Sequence, residues 1–132
     1  MWLIDTNVAI HLRDGDDSVE RKVAALEGGL FLSVVSLVEL QGGLYRDPTQ
    51  TERMRVRLDA IMESLTILTF KEDEAQRYGE IVRRVGYSRS KLLDRMIAAQ
   101  AIGAGATLIT MNAPDFRDIP GLTLEIWPSP HD

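Results

Sequence analysis

Five short apolar runs have the composition expected of strands, and the first two are typical of strands that are covered on both faces. They are rich in leucine, isoleucine, valine and threonine, and polar residues, glycine or proline interrupt the chain between them. The predicted strands are 2–4, 30–35, 65–70, 107–110 and 122–127. The run at 65–70 alternates leucine and isoleucine with threonine and is typical of a short strand.

Apolar residues recur every three or four positions between these runs, which is the spacing of helices that bury one face. Helices are predicted over 8–12, 19–26, 51–64, 71–85 and 90–102, with a further helix after the second strand. Alternating strands and helices predict an α/β fold with a mostly parallel five-stranded sheet and helices on both faces. The 132 residues fit a single domain over 1–132.

Local signals predict where several helices begin. Thr6 or Asn7 is expected to cap the first helix, and Ser36 with Glu39 has the Ser-x-x-Glu spacing of a capping box. Asp47 followed by proline is typical of the start of a helix, here the one predicted over 51–64. Glycines at 42 and 43 follow Glu39 and are expected to leave room for a ligand beside that acid.

The composition limits the chemistry of any metal site. The chain has no cysteine and only two histidines, His11 and His131. A disulfide or thiolate site is excluded, and any metal would be held by oxygen. A net charge of −5 argues mildly against nucleic-acid binding, unless some of the acids surround cations. No leader or membrane-spanning pattern is present, so a soluble cytoplasmic protein is expected, with a loose tail at 128–132.

Four acids stand out by their positions. Asp5 ends the first strand, Glu39 follows the second and Asp115 follows the fourth. A parallel sheet brings such residues together at its carboxyl edge. Asp94 shares a helix stripe with the apolar residues three, four and seven positions on, so its charge would need a partner or a cation.

Each of these acids also has a purely structural explanation. Asp5 could cap a helix, Glu39 could complete its capping box, Asp94 could pair with a nearby arginine, and Asp115 could be an ordinary turn residue. As a group they suit a hard ion such as Mg²⁺, or Mn²⁺, and metal-assisted hydrolysis of phosphodiesters.

Several stretches together carry a family resemblance. They read Leu-Ile-Asp-Thr-Asn-Val at 3–8, Ser-x-x-Glu-Leu-x-x-Gly at 36–43, Asp-x-x-Ile-Ala-Ala-x-Ala at 94–101, Leu-Ile-Thr-Met-Asn-x-x-Asp-Phe at 108–116 and Ile-Pro-Gly-Leu at 119–122. In this order and spacing they resemble the PIN-domain ribonucleases of the VapC toxin family. The resemblance covers nearly the whole chain and implies a PIN-like three-layer sandwich.

The resemblance also implies a magnesium site. Asp5 and Asp94 would hold Mg²⁺, with Glu39 and a fourth polar residue completing the acidic group. The fourth residue is either Asn112 or Asp115, and Asp115 is favoured because it can carry charge. Thr6, Asn7, Ser36, Thr110 and Asn112 are expected to support the ligands.

Basic residues lie close to Asp94 in sequence. These residues could bind RNA phosphates beside the metal, or they could simply form a solvated helix surface; they are Arg89, Lys91 and Arg95. The sequence leaves these two explanations about equal.

The resemblance implies an Mg²⁺-dependent endoribonuclease that acts as the toxin of a type II toxin–antitoxin system. Its substrate would be transfer RNA or another structured RNA, and its partner a cognate VapB-like antitoxin. A homodimer, or a larger toxin–antitoxin assembly, is expected. The alternatives are a PIN nuclease without an antitoxin, acting on DNA or in RNA processing, and a non-catalytic module that acts through complex formation in transcriptional autoregulation.

Overall fold

The computed structural model describes residues 1–130 and contains one five-stranded sheet in that range. The strands are β1 (Trp2–Ile4), β2 (Leu30–Ser33), β3 (Thr66–Leu68), β4 (Thr107–Thr110) and β5 (Leu124–Ile126). They lie in the order β3-β2-β1-β4-β5, and every neighbouring pair is parallel. The predicted α/β fold is confirmed. The last two positions of the predicted tail lie outside the described residues.

Six helices connect the strands within residues 1–130. They are α1 (Thr6–Arg13), α2 (Asp17–Ala24), α3 (Val34–Gly43), α4 (Thr51–Ser64), α5 (Glu72–Val85) and α6 (Leu92–Ala104). Two short 3₁₀ turns, Arg89–Lys91 and Ala113–Asp115, precede α6 and follow β4. No helix in this part of the chain is both long and apolar enough to cross a membrane.

Successive residues of the central strand serve opposite faces of the sheet. Ile4 is buried in a cluster with residues of α1, α2 and α4, whereas Leu3 is buried in a cluster with residues of α5 and α6. Both side chains are fully buried. Because strand side chains alternate between faces, one apolar run fills both cores, and the three-layer arrangement follows.

The predicted start of α3 is wrong. The strand ends at Ser33 rather than at residue 35, and the Ser33 hydroxyl caps α3 by accepting a hydrogen bond of 3.0 Å from the Val35 amide. Ser36 lies inside the helix, so the Ser36–Glu39 capping box does not exist. Both Ser33 and Ser36 are residue types that cap helices. Ser33 lies nearer the end of the strand, and its hydroxyl accepts from one of the free amides of the first helix turn.

The predicted bounds of α4, 51–64, are confirmed, but its predicted cap at Asp47 is wrong. The helix begins at Thr51 with Gln50 as its N-cap residue. The Asp47 carboxylate instead accepts hydrogen bonds from the amide and hydroxyl of Thr49, at 3.0 and 2.7 Å. An aspartate that bonds to the backbone two residues on forms a local turn, and this turn separates α3 from α4.

Gly43 serves a different purpose from the one predicted. A Cβ atom at this position would lie 2.7 Å from Nη1 of Arg13. Arg13 is buried, and its Nη1 donates to the carbonyl of Leu40 at 3.2 Å. The missing side chain makes room for a buried arginine, not for a ligand beside Glu39, whereas the space beside Gly42 is open.

Candidate active site

Asp5 lies at the carboxyl end of the central strand and is only 3% exposed. Its amide donates to the Ile109 carbonyl of the neighbouring strand at 2.8 Å. Its carboxylate accepts hydrogen bonds from the amide of Thr6 at 2.8 Å and from the hydroxyl of Thr110 at 2.9 Å. Asp5 is therefore itself the N-cap of α1, so the cap expected at Thr6 or Asn7 is wrong. Burial raises the pKa of Asp5 above its ordinary value, and the two hydrogen bonds oppose that rise.

Thr6 links the first acid to the second. Its hydroxyl donates to Oε1 of Glu39 at 3.1 Å and shares a hydrogen bond of 2.8 Å with the Ser36 hydroxyl. Ser36 is fully buried, and it ties the first turn of α1 to α3. The residue predicted as a helix cap is thus a supporting residue of the site.

Asp94 lies in the first turn of α6 and is partly buried. Burial, followed by repulsion from Asp5 and Asp115, raises its pKa to about 7. A hydrogen bond with Asp115 and the charge of Glu39 act in the same direction. The structure therefore brings the four predicted acids into electrostatic contact at one edge of the sheet.

The two candidates for the fourth position occupy different places. Asn112 lies on the wall of the cleft that contains the other acids, and its backbone amide donates to the Thr110 hydroxyl at 2.9 Å. The Asn112 side-chain amide donates to the carboxylate of Asp115. Asp115 in turn interacts with Asp94. Both residues are connected to the acidic group. Asn112 lies at the surface of the cleft, and Asp115 is connected through its side-chain interaction with Asp94.

The acids line an open cleft of about 510 Å³. Its polar wall consists of Asp5, Thr6, Asn7, Glu39, Arg89, Ser90, Asp94 and Asn112. An apolar wall formed by Ile10, Leu92 and Leu93 completes it. These apolar residues were not predicted to belong to the site. The adjacent leucines at 92 and 93 carry a signal that could have found them, because two consecutive helix positions point in different directions and one must face away from the core.

The acidic group has no cationic partner among residues 1–130. The ion pairs of this part of the chain involve other acids, and none includes Asp5, Glu39, Asp94 or Asp115. A buried carboxylate without a cation is costly, and its raised pKa reports that cost. The all-oxygen donor set fits a hard divalent ion. As the side chains of the described residues are arranged, however, no group of three or more is gathered to hold a metal ion.

The basic residues predicted to contact RNA divide into two kinds. Arg89 is exposed and lines the cleft, and Lys91 is partly exposed in the same 3₁₀ turn. Arg95 is only 2% exposed, and its guanidinium bonds to the Gly86 carbonyl. A buried guanidinium cannot present itself to phosphates, so the RNA-binding prediction for Arg95 is wrong.

Comparison with known proteins agrees with this geometry. A sequence model of the PIN domain matches residues 2–122, so the chain belongs to the PIN-domain family. The chain is 30% identical to Ribonuclease VapC2 of Rickettsia felis, over 96% of this chain and 98% of that protein. It is 33% identical to Ribonuclease VapC1 of the same organism, over 91% of each chain. These relatives place it among the VapC proteins.

A solved structure extends the likeness to the fold. The VapBC2 complex of Rickettsia felis, bound to a DNA fragment from its promoter, contains a chain that matches with a TM-score of 0.81 and 28% identity. The match covers 96% of this chain and 98% of that one. The DNA-bound VapBC complex of Salmonella typhimurium gives the same TM-score at 24% identity, which is a likeness of fold.

Proposed function

We propose that the protein is a metal-dependent endoribonuclease and the toxin of a type II toxin–antitoxin system. The observation that supports this most directly is the meeting of Asp5, Glu39, Asp94 and Asp115 at the edge of the sheet without a cation beside them. The relatives that share almost the full length of the chain are named ribonucleases. Acids with no ion-pair partner and a family of nucleases together favour metal-assisted hydrolysis of RNA.

Asp5, Glu39 and Asp94 would hold Mg²⁺, or Mn²⁺ in its place, with Asp115 or Asn112 as the fourth residue. The bound ion would supply an activated water and a positive charge against the phosphate. Thr110 and the Thr6 amide fix the orientation of the Asp5 carboxylate through hydrogen bonds. Thr6 and Ser36 position Glu39, and Asn7 lines the cleft nearby.

The positive charge needed to bind RNA would come from Arg89 and Lys91. They precede α6, whose first turn carries Asp94. A nucleic acid laid along this side would place its phosphates near the acids while the arginine offsets local repulsion. The cleft lining itself carries more carboxylates than cations, so a bound divalent ion would have to offset the remaining negative charge when RNA binds.

Transfer RNA is the first substrate to test. Relatives in Shigella flexneri and Salmonella typhimurium, 24% and 22% identical over 96% of this chain, are named tRNA(fMet)-specific endonucleases. These names support a structured RNA as substrate. The cytoplasm would be the place of action.

A VapB-like antitoxin is the proposed partner. Three structural neighbours are VapBC toxin–antitoxin complexes, and two of these three were solved on DNA. This favours a second role for the complex in transcriptional autoregulation, beside the nuclease activity. A toxin homodimer within a larger assembly is the expected arrangement.

The test is cleavage of a tRNA pool by the purified chain with Mg²⁺, with chelator, and with the variant Asp5→Asn. We expect the chelator to abolish cleavage and the variant to lose activity by at least about 100-fold. Asparagine is as good an N-cap as aspartate, so the variant should keep α1 and the fold. Asp59→Asn on the exposed surface of α4 is the matched control and should cleave normally. Cleavage by Asp5→Asn at the original rate would contradict the proposal.

A further inference from the structure

Arg95 is a buried cation with poor partners. Its side chain is 3% exposed, and its Nη2 lies 3.7 Å from Oδ2 of Asp118, which is itself 45% exposed. Its Nε is buried and has no hydrogen-bond partner. Burying a charge this way contributes little to stability, because desolvation offsets the attraction of a distant, solvated partner. Stabilisation of the core is therefore a poor explanation for an arginine at this position.

The one strong bond of Arg95 reaches the segment that carries Arg89. Nη1 of Arg95 donates to the Gly86 carbonyl at 2.7 Å. Gly86 ends α5 with a φ of +88°, a conformation that favours glycine and turns the chain sharply away from the helix. Residues 86–91 then run from this turn to the start of α6.

The other hydrogen bonds of this segment are local. The Gly86 amide donates to Val82 at the end of α5, and the Lys91 amide donates to the Ser88 carbonyl within the segment. The hydroxyls of Ser88 and Ser90 bond to each other. Among the described residues, Arg95 is thus the residue outside 86–91 whose side chain fixes this segment by a hydrogen bond.

Arg95 also contacts the segment that follows β4, through Asp118. Asp118 follows the 3₁₀ turn Ala113–Asp115, and this turn contains the acid that interacts with Asp94. One guanidinium therefore contacts both the segment that bears Arg89 and the segment that bears Asp115. Arg95 directly follows Asp94 on α6. Both contacts of the guanidinium therefore start from the helix turn that carries this acid.

We propose that Arg95 is a positioning residue that fixes residues 86–91 so that Arg89 stays on the wall of the acidic cleft. The inference rests on the proposed function only in taking Arg89 as a contact for RNA phosphates. It assigns to Arg95 an effect on RNA binding without contact with RNA.

Amide hydrogen exchange tests the positioning itself, without any activity. The variant Arg95→Met replaces the guanidinium by an apolar chain of similar length. We expect the amides of 87–91 to exchange at least about tenfold faster, while those of β1 and β4 keep their rates. Arg83→Met, which removes an exposed arginine paired with Glu80 on α5, is the matched control and should leave the segment unchanged. Unchanged exchange in Arg95→Met would overturn the inference.

A double-mutant cycle tests whether Arg95 acts through Arg89. Arg89→Gln and Arg95→Met should each raise KM for RNA about five- to tenfold, with kcat much less affected. The double variant should be no worse than Arg89→Gln alone, since a mispositioned arginine and an absent one have the same effect. Arg95→Lys, which keeps a donor for the Gly86 carbonyl, should recover part of the loss.

Two outcomes of the kinetic experiment would overturn the inference. Additive effects of the two substitutions would mean that Arg95 does not act through Arg89. A higher Mg²⁺ requirement in Arg95→Met would mean that it acts through its neighbour Asp94. If the unchanged chain cleaves no RNA, the proposed function fails, and the exchange rates alone decide whether Arg95 fixes the segment.

Discussion

Asp5 with its supporting residues at the carboxyl edge of the sheet is as buried as the two apolar layers beside it, but burial has the opposite effect on stability there. Thr110 and Ser36 are as inaccessible to water as Leu32 and Leu108 in the cores. The leucines gain free energy from burial, because apolar surface leaves water. At the edge, burial of Asp5 and Asp94 costs free energy when they are charged, as the raised pKa of each carboxyl shows.

This difference shows that the edge is arranged for something other than stability. Hydrogen bonds from Thr6 and Thr110 satisfy the Asp5 carboxylate but leave its charge without a cation. The apolar layers must supply the stability that the edge forgoes. Removing a buried leucine from the apolar layers should therefore destabilise the fold, whereas removing a charge from the acidic edge should stabilise it. The predictions below begin with the largest change.

The largest effect is expected in the apolar layers. Leu108→Ala removes a fully buried side chain from β4 and should lower the free energy of unfolding by about 2–5 kcal/mol. Val56→Ala, at a position that is 63% exposed, is the control and should change it by less than about 0.5 kcal/mol. Urea unfolding measures both. A loss below 1 kcal/mol at Leu108 would show that burial in this layer is not what stabilises the fold.

At the acidic edge, we expect removal of a charge to stabilise the protein. Folded Asp94 holds its proton up to about pH 7, whereas the unfolded side chain loses it near the ordinary value of 3.8. The folded state binds more protons between these values, so its stability falls as the pH rises through this window. In chelator at pH 8, Asp94→Asn should melt above the unchanged protein, and the difference should shrink by pH 5. A constant difference in melting temperature across this range would contradict the raised pKa.

The fourth position of the acidic group can be sharpened by two separate substitutions. Asp115→Asn should lower Mg²⁺-dependent cleavage about 10- to 100-fold, because it removes a charge that interacts with Asp94. Asn112→Ala should have a smaller effect, as a neutral residue on the cleft wall. The measurement is kcat/KM over a range of Mg²⁺ concentrations. Full activity in both variants would exclude both residues, and a larger loss at Asn112 would reverse the assignment.

The smallest effect distinguishes two serines of the same segment. Ser33→Ala removes the cap of α3 and should lower the free energy of unfolding by about 1–2 kcal/mol. Ser36→Ala should have a smaller effect on stability but should impair cleavage, since its hydroxyl bonds to Thr6 beside Glu39. Thermal melts and cleavage rates on the two variants check this. The reverse order of the two stabilities would restore the capping box predicted from the sequence.

Much of the fold was predictable because burial on both faces of a parallel sheet leaves a strong pattern. The run Thr107–Thr110 was predicted with the bounds that the structure has, and the position of Asp5 at the end of a strand follows from the run before it. The start of α3 at Ser36 and the cap of α4 at Asp47 were predicted wrongly. Capping depends on which hydroxyl or carboxylate reaches the free amides, and several neighbours in sequence can do so.

Local composition and spacing were enough to predict the strands, the helices and the four candidate acids. The role of each charged side chain depends on how the elements pack. Asp94 and Arg95 are adjacent in sequence, yet one lies in the cleft and the other is buried against Gly86. Neighbouring positions on a helix point about 100° apart, so what each one meets depends on the elements packed around α6.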